Sequence, residues 1–217
     1  MREDGNTKEE SVKHYYLGVI GLLGIILATG CAGKGERIDL KVPIANGIDE
    51  KVVAMHQATV AILPFEDHRT DRLNLGTRHH LWGGESHFIL STGSLGEATA
   101  QAFAHYLTSR GWNATLAKDN GATGADLTVT GQLMDVTVDA QSGIGQTTLN
   151  AKNRLVVQVK NHADGSQIRE TLTSIGTNQV FWFDSEDAQE LLNELYNKNF
   201  EKFMKDTTLD GKLLKLR

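Results

Sequence analysis

One cysteine in 217 residues leaves this chain nothing to pair into a disulfide, so its fold must be held by a core alone. Basic residues are in short supply too: 22 Lys and Arg stand against 27 Asp and Glu, a net charge of −5 that argues against nucleic acid as a partner. The motifs of common catalysts are also missing. No Gly-x-Ser-x-Gly elbow presents a serine nucleophile, and no glycine loop ends in Lys-Ser or Lys-Thr to cradle a phosphate. Gly93-Ser94-Leu95-Gly96 only superficially resembles an elbow, and Ser94 is better explained as a helix cap. These absences lead away from an enzyme, and no catalytic residue is assigned.

What is present is an address. Residues 17–29 are apolar and uncharged, too short for the roughly 20 apolar residues of a spanning helix but suited to the h-region of a signal peptide. The run closes on Leu27-Ala28-Thr29-Gly30-Cys31, which resembles a bacterial lipobox. The resemblance implies that Cys31 takes a diacylglyceryl group and becomes the first residue of the mature protein. Ala28 stands where a branched aliphatic residue is usual, with Leu27 one place further out. The alternative, a buried cysteine after an ordinary apolar helix, is disfavoured because Gly30 and a glycine-rich stretch follow at once. Residues 1–16 are acidic for a signal peptide, with Glu3, Asp4, Glu9 and Glu10 against Arg2, Lys8 and Lys13. A translation start near Val12 would leave Lys13 and His14 ahead of the apolar run, and peptides from residues 2–11 in the precursor would contradict it.

Residues 1–30 carry three of the basic and four of the acidic side chains, so the remainder keeps 19 and 23, a net charge of −4. Residues 31–55 contain Gly33, Gly35, Pro43 and Gly47 without sustained apolar periodicity and are expected to form a flexible tether. A globular domain is expected over 56–206, followed by a short basic tail, 207–217.

Within the domain, Ala58-Thr59-Val60-Ala61-Ile62-Leu63-Pro64-Phe65 has the apolar density of a buried strand. Ser94 and Glu97 then form a capping-box signature, Leu95, Ala98, Ala102, Phe103, Tyr106 and Leu107 share one helical face, and Gly111 stops the helix. A short strand is expected over 112–118. A longer one over 125–139 shifts phase between Leu133 and Met134, as at a bulge. Residues 146–160 alternate, with one wet face carrying Lys152, Arg154, Gln158 and Lys160. Asp164-Gly165 turns the chain into a returning strand over 167–183. Asp184 caps a last helix whose stripe is Ala188, Leu191, Leu192, Leu195, Phe203 and Met204. The expected architecture is one α/β (α+β) domain, a mixed and mostly antiparallel sheet with two main helices packed on it.

The block 95–111, the strand over 127–139, the hairpin at Asp164-Gly165 and the acid-capped last helix resemble the YajG family of bacterial envelope lipoproteins. The opening strand Val60-Ala61-Ile62-Leu63-Pro64-Phe65 with its following acidic pair is similar to that of curli-secretion and penicillin-binding-protein-activator lipoproteins. The resemblance implies a lipid-anchored envelope protein facing the periplasm and hands over no catalytic residue. Ala32 after the cysteine, in place of an acidic residue, resembles outer-membrane sorting.

Residues 66–91 are expected to form a long loop, and long loops are commonly functional. Three uses compete for it. A metal could take His68, His79, His80 and His87 with Glu66 or Asp67, although this spacing fits no standard zinc pattern. An anion, lipid head group or glycan could be met by Arg69, Arg72 and Arg78 with Trp82 as a platform. The favoured use is to cover a sheet edge or dock on a partner protein through Leu73, Leu75, Leu81 and Trp82. Elsewhere, His105 is expected to be partly packed and His162 solvated. Phe181-Trp182-Phe183 is expected to pack under the last helix, with an exposed contact patch as the alternative.

The sequence thus points to a membrane-anchored, non-catalytic binding or assembly factor whose partner is another envelope protein. A lipid or glycan binder is the alternative, and a hydrolase or metalloenzyme a poor third. No cofactor is expected beyond the covalent lipid on Cys31.

Overall fold

The computed structural model describes residues 35–42, 56–90, 93–117 and 124–217, so the signal segment 1–30 and the lipidation site Cys31 lie outside the described residues. Five short strands come first: β1 Glu36–Asp39, β2 Thr59–Ile62, β3 Glu66–Asp67, β4 Gly76–His79 and β5 Glu85–Ile89. Helix α1, Leu95–Ser109, precedes β6, Asn113–Leu116, and the long strands β7, Leu127–Gly143, β8, Gln146–Asn161, and β9, Gln167–Val180. Helix α2, Ser185–Asp206, leads into a separate hairpin of β10, Thr207–Asp210, and β11, Leu213–Leu216.

The antiparallel meander β7–β8–β9 is the frame. Its inward positions, among them Leu127, Val129, Leu149, Ala151, Leu155 and Leu172, are buried, while Lys152, Arg154, Gln158 and Lys160 line the other face. The register shifts between Leu133 and Asp135, which keeps Leu133, Val136 and Val138 all buried despite the break in alternation. The free edge of β7 is used twice. β2 and β3 run parallel along its first half and β4 along its end, with β6 outside β2, and β5 then β1 outside β4.

Both helices pack on the inner face and on each other. Asp184 caps α2 in a complete capping box with Asp187, and Ser94 accepts the Glu97 N–H at 3.1 Å to open α1. The Phe103 ring lies 5.0 Å from that of Phe200 and 5.2 Å from that of Phe203, so α1 and α2 meet through aromatic faces. α1 can approach the sheet because its second residue is a glycine: a Cβ on Gly96 would fall 1.8 Å from the Phe65 carbonyl oxygen. The outcome is the mixed sheet with two helices that the sequence implies.

Three expectations are corrected. Residues 35–42 are not tether: β1 pairs with β5, and Leu40 and Val42 are buried in the core. A four-residue strand with one half-buried side chain has no periodicity to reveal it, and only its partner makes it a strand. The remainder of the expected tether, 31–34 and 43–55, lies outside the described residues. The C-terminal tail is a hairpin fastened to the domain, with Leu214 buried and its backbone bonded to the Asn161 amide on both sides. His105, expected to be partly packed, is exposed.

Asp126 ties the hairpin to the sheet. Its carboxylate accepts from the Thr59 N–H and hydroxyl, each at 2.9 Å, and from Lys212 Nζ at 2.9 Å. The Thr59 backbone bond first, then the Lys212 ammonium and the Thr59 hydroxyl, pull its pKa down to about 2. A folded pKa below the unfolded value of about 3.9 means that this stabilisation is full above that value and is lost as pH falls through about 2. Asp126→Asn is therefore expected to lower the melting temperature at pH 7, with the gap to the wild type closing between pH 4 and pH 2. Thermal unfolding across that range checks it, and a gap that stays constant with pH would refute the assignment.

Candidate functional site

Residues 66–91 are not an irregular loop. The segment contains β3, β4 and β5, and these extend the sheet because β7 is long enough to accept a second neighbour along its edge. This divides the candidate residues between two places. Arg69 is in the interior, 6% exposed. Its Nε and Nη2 donate to the Asp67 carboxylate at 3.1 and 3.0 Å, and its Nη1 donates to the Asn74 carbonyl at 2.8 Å. It pins the 68–75 turn to the sheet and offers no free fork to an anion. Arg72 is exposed in that turn, beside Leu73.

Arg78 is half-buried on β4, with its guanidinium 4.0 Å above the Phe183 ring and its Nε 3.4 Å from Ser142 Oγ. Burial lowers its pKa, and the charge of Glu36 offsets part of the shift. It fastens the exit of β9 to β4 and β7. The four histidines each find a separate partner: His68 with Glu66 at 2.9 Å, His79 with Glu85 at 3.1 Å, His80 with Ser86 Oγ at 2.7 Å, and His87 with Thr77 Oγ1 at 3.4 Å. Among the described residues no group of three or more histidine, cysteine, aspartate or glutamate side chains is placed to hold a metal.

The apolar residues converge where the polar ones do not. Because β4 and β9 are both parallel to β7, all three end at the same edge of the sheet, and β5 and β1 start there. Four large side chains stand out from this end: Trp82 in the β4–β5 turn, 92% exposed; Ile144 in the β7–β8 turn, 89%; and Phe181 and Trp182 after β9, 67% and 81%. Phe181 and Trp182 meet edge to face at 5.2 Å, and Phe181 lies against the turn at Gly145. Of Phe181-Trp182-Phe183, only Phe183 packs inward, tilted against Phe88 at 6.0 Å. The expected burial of this triplet is thus corrected for two of its three rings, since α2 starts too late in the chain to cover them.

Of the residues expected to anchor a partner, Leu75 is core, whereas Leu73, Leu81 and Trp82 are exposed. Ile144 was not a candidate from the sequence. An isoleucine beside glycine in a turn, where side chains are normally polar, is the signal that could have found it.

Cavities among the described residues lie away from this end, including one of about 250 Å³ bordered by Leu63, Glu66, Gln132, Gln158 and Arg169. One of about 290 Å³ sits between the 68–75 turn and the start of α1, lined by Phe65, Asp67, Arg69, Arg72, Leu73 and Ser94; Asp67 and Arg69 pair with each other, and Arg72 adds a further positive charge at its rim. Another of about 380 Å³ is bordered by Lys41, Val42, Leu90, Glu97 and Gln101. Among the described residues no helix is long and apolar enough to cross a membrane.

No family model matches the sequence, and no curated protein matches it. Among solved structures the chain is similar to protein XCC0632 of Xanthomonas campestris, of the family DUF330, at 8% identity and a TM-score of 0.47, covering 77% of this chain and 91% of that one. It is similar to an uncharacterized protein at 10% identity and a TM-score of 0.45, covering 79% and 98%. It is also similar to lipoprotein GNA1162 of Neisseria meningitidis, at 11% identity and a TM-score of 0.36, covering 65% and 96%. None of these likenesses assigns a role to a residue of this chain.

Proposed function

We propose that this is a lipid-anchored envelope protein, held to a membrane through Cys31 and facing the periplasm, that acts as a non-catalytic binding or assembly factor. The observation that carries this reading is the end of the sheet bearing Trp82, Ile144, Phe181 and Trp182. Large apolar side chains gathered at one exposed end mark a contact surface. Arg69 and the four histidines of the segment, by contrast, are engaged within the fold. An enzyme would need polar groups converging on a reacting atom. Ser94, set between glycines in Gly93-Ser94-Leu95-Gly96, accepts the Glu97 N–H as a helix cap.

The anchor and the fold are separable in this reading. Cys31→Ser is expected to release the protein from membranes while leaving its melting temperature unchanged, since Cys31 precedes the first strand. Membrane fractionation checks the first half and thermal unfolding of the released protein the second. Full retention on membranes would refute lipidation at Cys31.

A further inference from the structure

We infer that the apolar end of the sheet rests in the headgroup layer of the same membrane that holds Cys31, with Trp82, Ile144, Phe181 and Trp182 as its interfacial anchors. The inference rests on the lipid-anchor reading and names the occupant of that contact surface.

The argument is one of length. Gly35 donates its N–H to the Glu85 carbonyl at 2.9 Å, and Glu36 pairs with Ser86 across from Arg78 and Ala140. The chain therefore enters the fold beside the β4–β5 turn, at the end where the four side chains project. Only three residues separate Cys31 from Gly35. Covalent geometry limits the distance between their Cα atoms to about 14 Å. Gly35 lies level with Gln141 by this register, and Ile144 is three residues further on, which at about 3.4 Å per residue puts the tip roughly 10 Å beyond Gly35. A lipid on Cys31 thus leaves the domain only a few ångströms of freedom above the bilayer. The end that must face the lipid is the end that bears the exposed apolar side chains.

The chemistry suits an interface in preference to the hydrocarbon. Tryptophan combines a large apolar ring with an N–H donor and collects at headgroup depth. The same end carries the exposed carboxylates of Glu36, Glu85 and Asp184, which would repel an anionic surface. Contact is therefore made by apolar burial, and it does not require anionic lipid or low salt.

The test uses the mature protein, residues 31–217 lipidated at Cys31, reconstituted into phosphatidylcholine vesicles, with lipids brominated near the headgroup as fluorescence quenchers. The variant W82F/W182F keeps only Trp112, which is buried where α1 meets β6, far from this end. Wild-type protein is expected to float with the vesicles and to show blue-shifted emission that brominated lipid quenches, unchanged in high salt. W82F/W182F is expected to float equally and to lose the quenching. Flotation with water-like, unquenched Trp82 and Trp182 emission would overturn the inference and leave the anchor standing. Blue-shifted but unquenched emission would also overturn it, pointing to a second copy of the chain as the occupant. Failure to float would remove the anchor reading and the inference together.

Discussion

Phe103→Ala is expected to cost about 3–5 kcal/mol of folding stability, the range for emptying a buried aromatic site. Phe103 is fully buried, and its ring is in contact range of Phe65 from the sheet at 6.3 Å and of Phe200 and Phe203 from α2 at 5.0 and 5.2 Å. It is a side chain at which α1, α2 and the β2–β3 connection all meet, beside the Tyr106–Phe200 and Thr99–Tyr196 contacts that also join the helices. Removing it leaves a hole bordered by three rings, each fixed by its own backbone, so collapse to fill the space is restricted. For a domain of this size the loss corresponds to a fall in melting temperature of roughly 6–20 °C. Phe103→Leu, which keeps part of the volume, should lose distinctly less. Chemical denaturation of both variants checks the order. A loss below about 1 kcal/mol for the alanine would mean that the helices do not meet at this ring.

The helices and the meander were legible because their patterns are long. α1 and α2 each repeat an apolar face over several turns behind a strong cap, and β8 alternates over most of its length. Even the bulge was visible, since a strand that keeps one side buried must shift its apolar phase where the register shifts. The short strands were not legible for the converse reason. β1, β3 and β4 contain two to four residues, and what makes them strands is a partner distant in the chain: β5, some fifty residues on, for β1, and the edge of β7, some sixty residues on, for β3 and β4. Treating 66–91 as one loop followed from this, and it grouped Arg69 with Trp82 although the fold sets one in the interior and the other in solvent. The apolar end was half visible, as Trp82 and an alternative for Phe181 and Trp182. Its convergence required strand directions, which composition does not carry.

Arg69 provides the second large effect, and it separates a structural guanidinium from a ligand-binding one. Asp67→Ala is expected to cost about 3–5 kcal/mol, because it strands a buried cation without its counter-charge. The Arg69 guanidinium spends its N–H groups inside the fold: Asp67 holds one edge of its fork, and the Asn74, Arg72 and Val136 carbonyls receive the remaining N–H groups at 2.8, 3.3 and 3.4 Å. Arg69→Met should be milder. It removes the charge along with the bonds, fills the space with a flexible apolar chain, and leaves Asp67 partly exposed and able to rehydrate. The double variant Asp67→Ala/Arg69→Met is then expected to be more stable than Asp67→Ala alone, a reversal that a double-mutant cycle by denaturation reads directly. High salt should leave the coupling nearly intact, as screening acts weakly on a buried pair. An anion-binding arginine behaves in the opposite way: replacing it costs little stability and empties the site. Equal, small losses in all three variants would return Arg69 to the surface and reopen the 68–75 turn as a place for an anionic ligand.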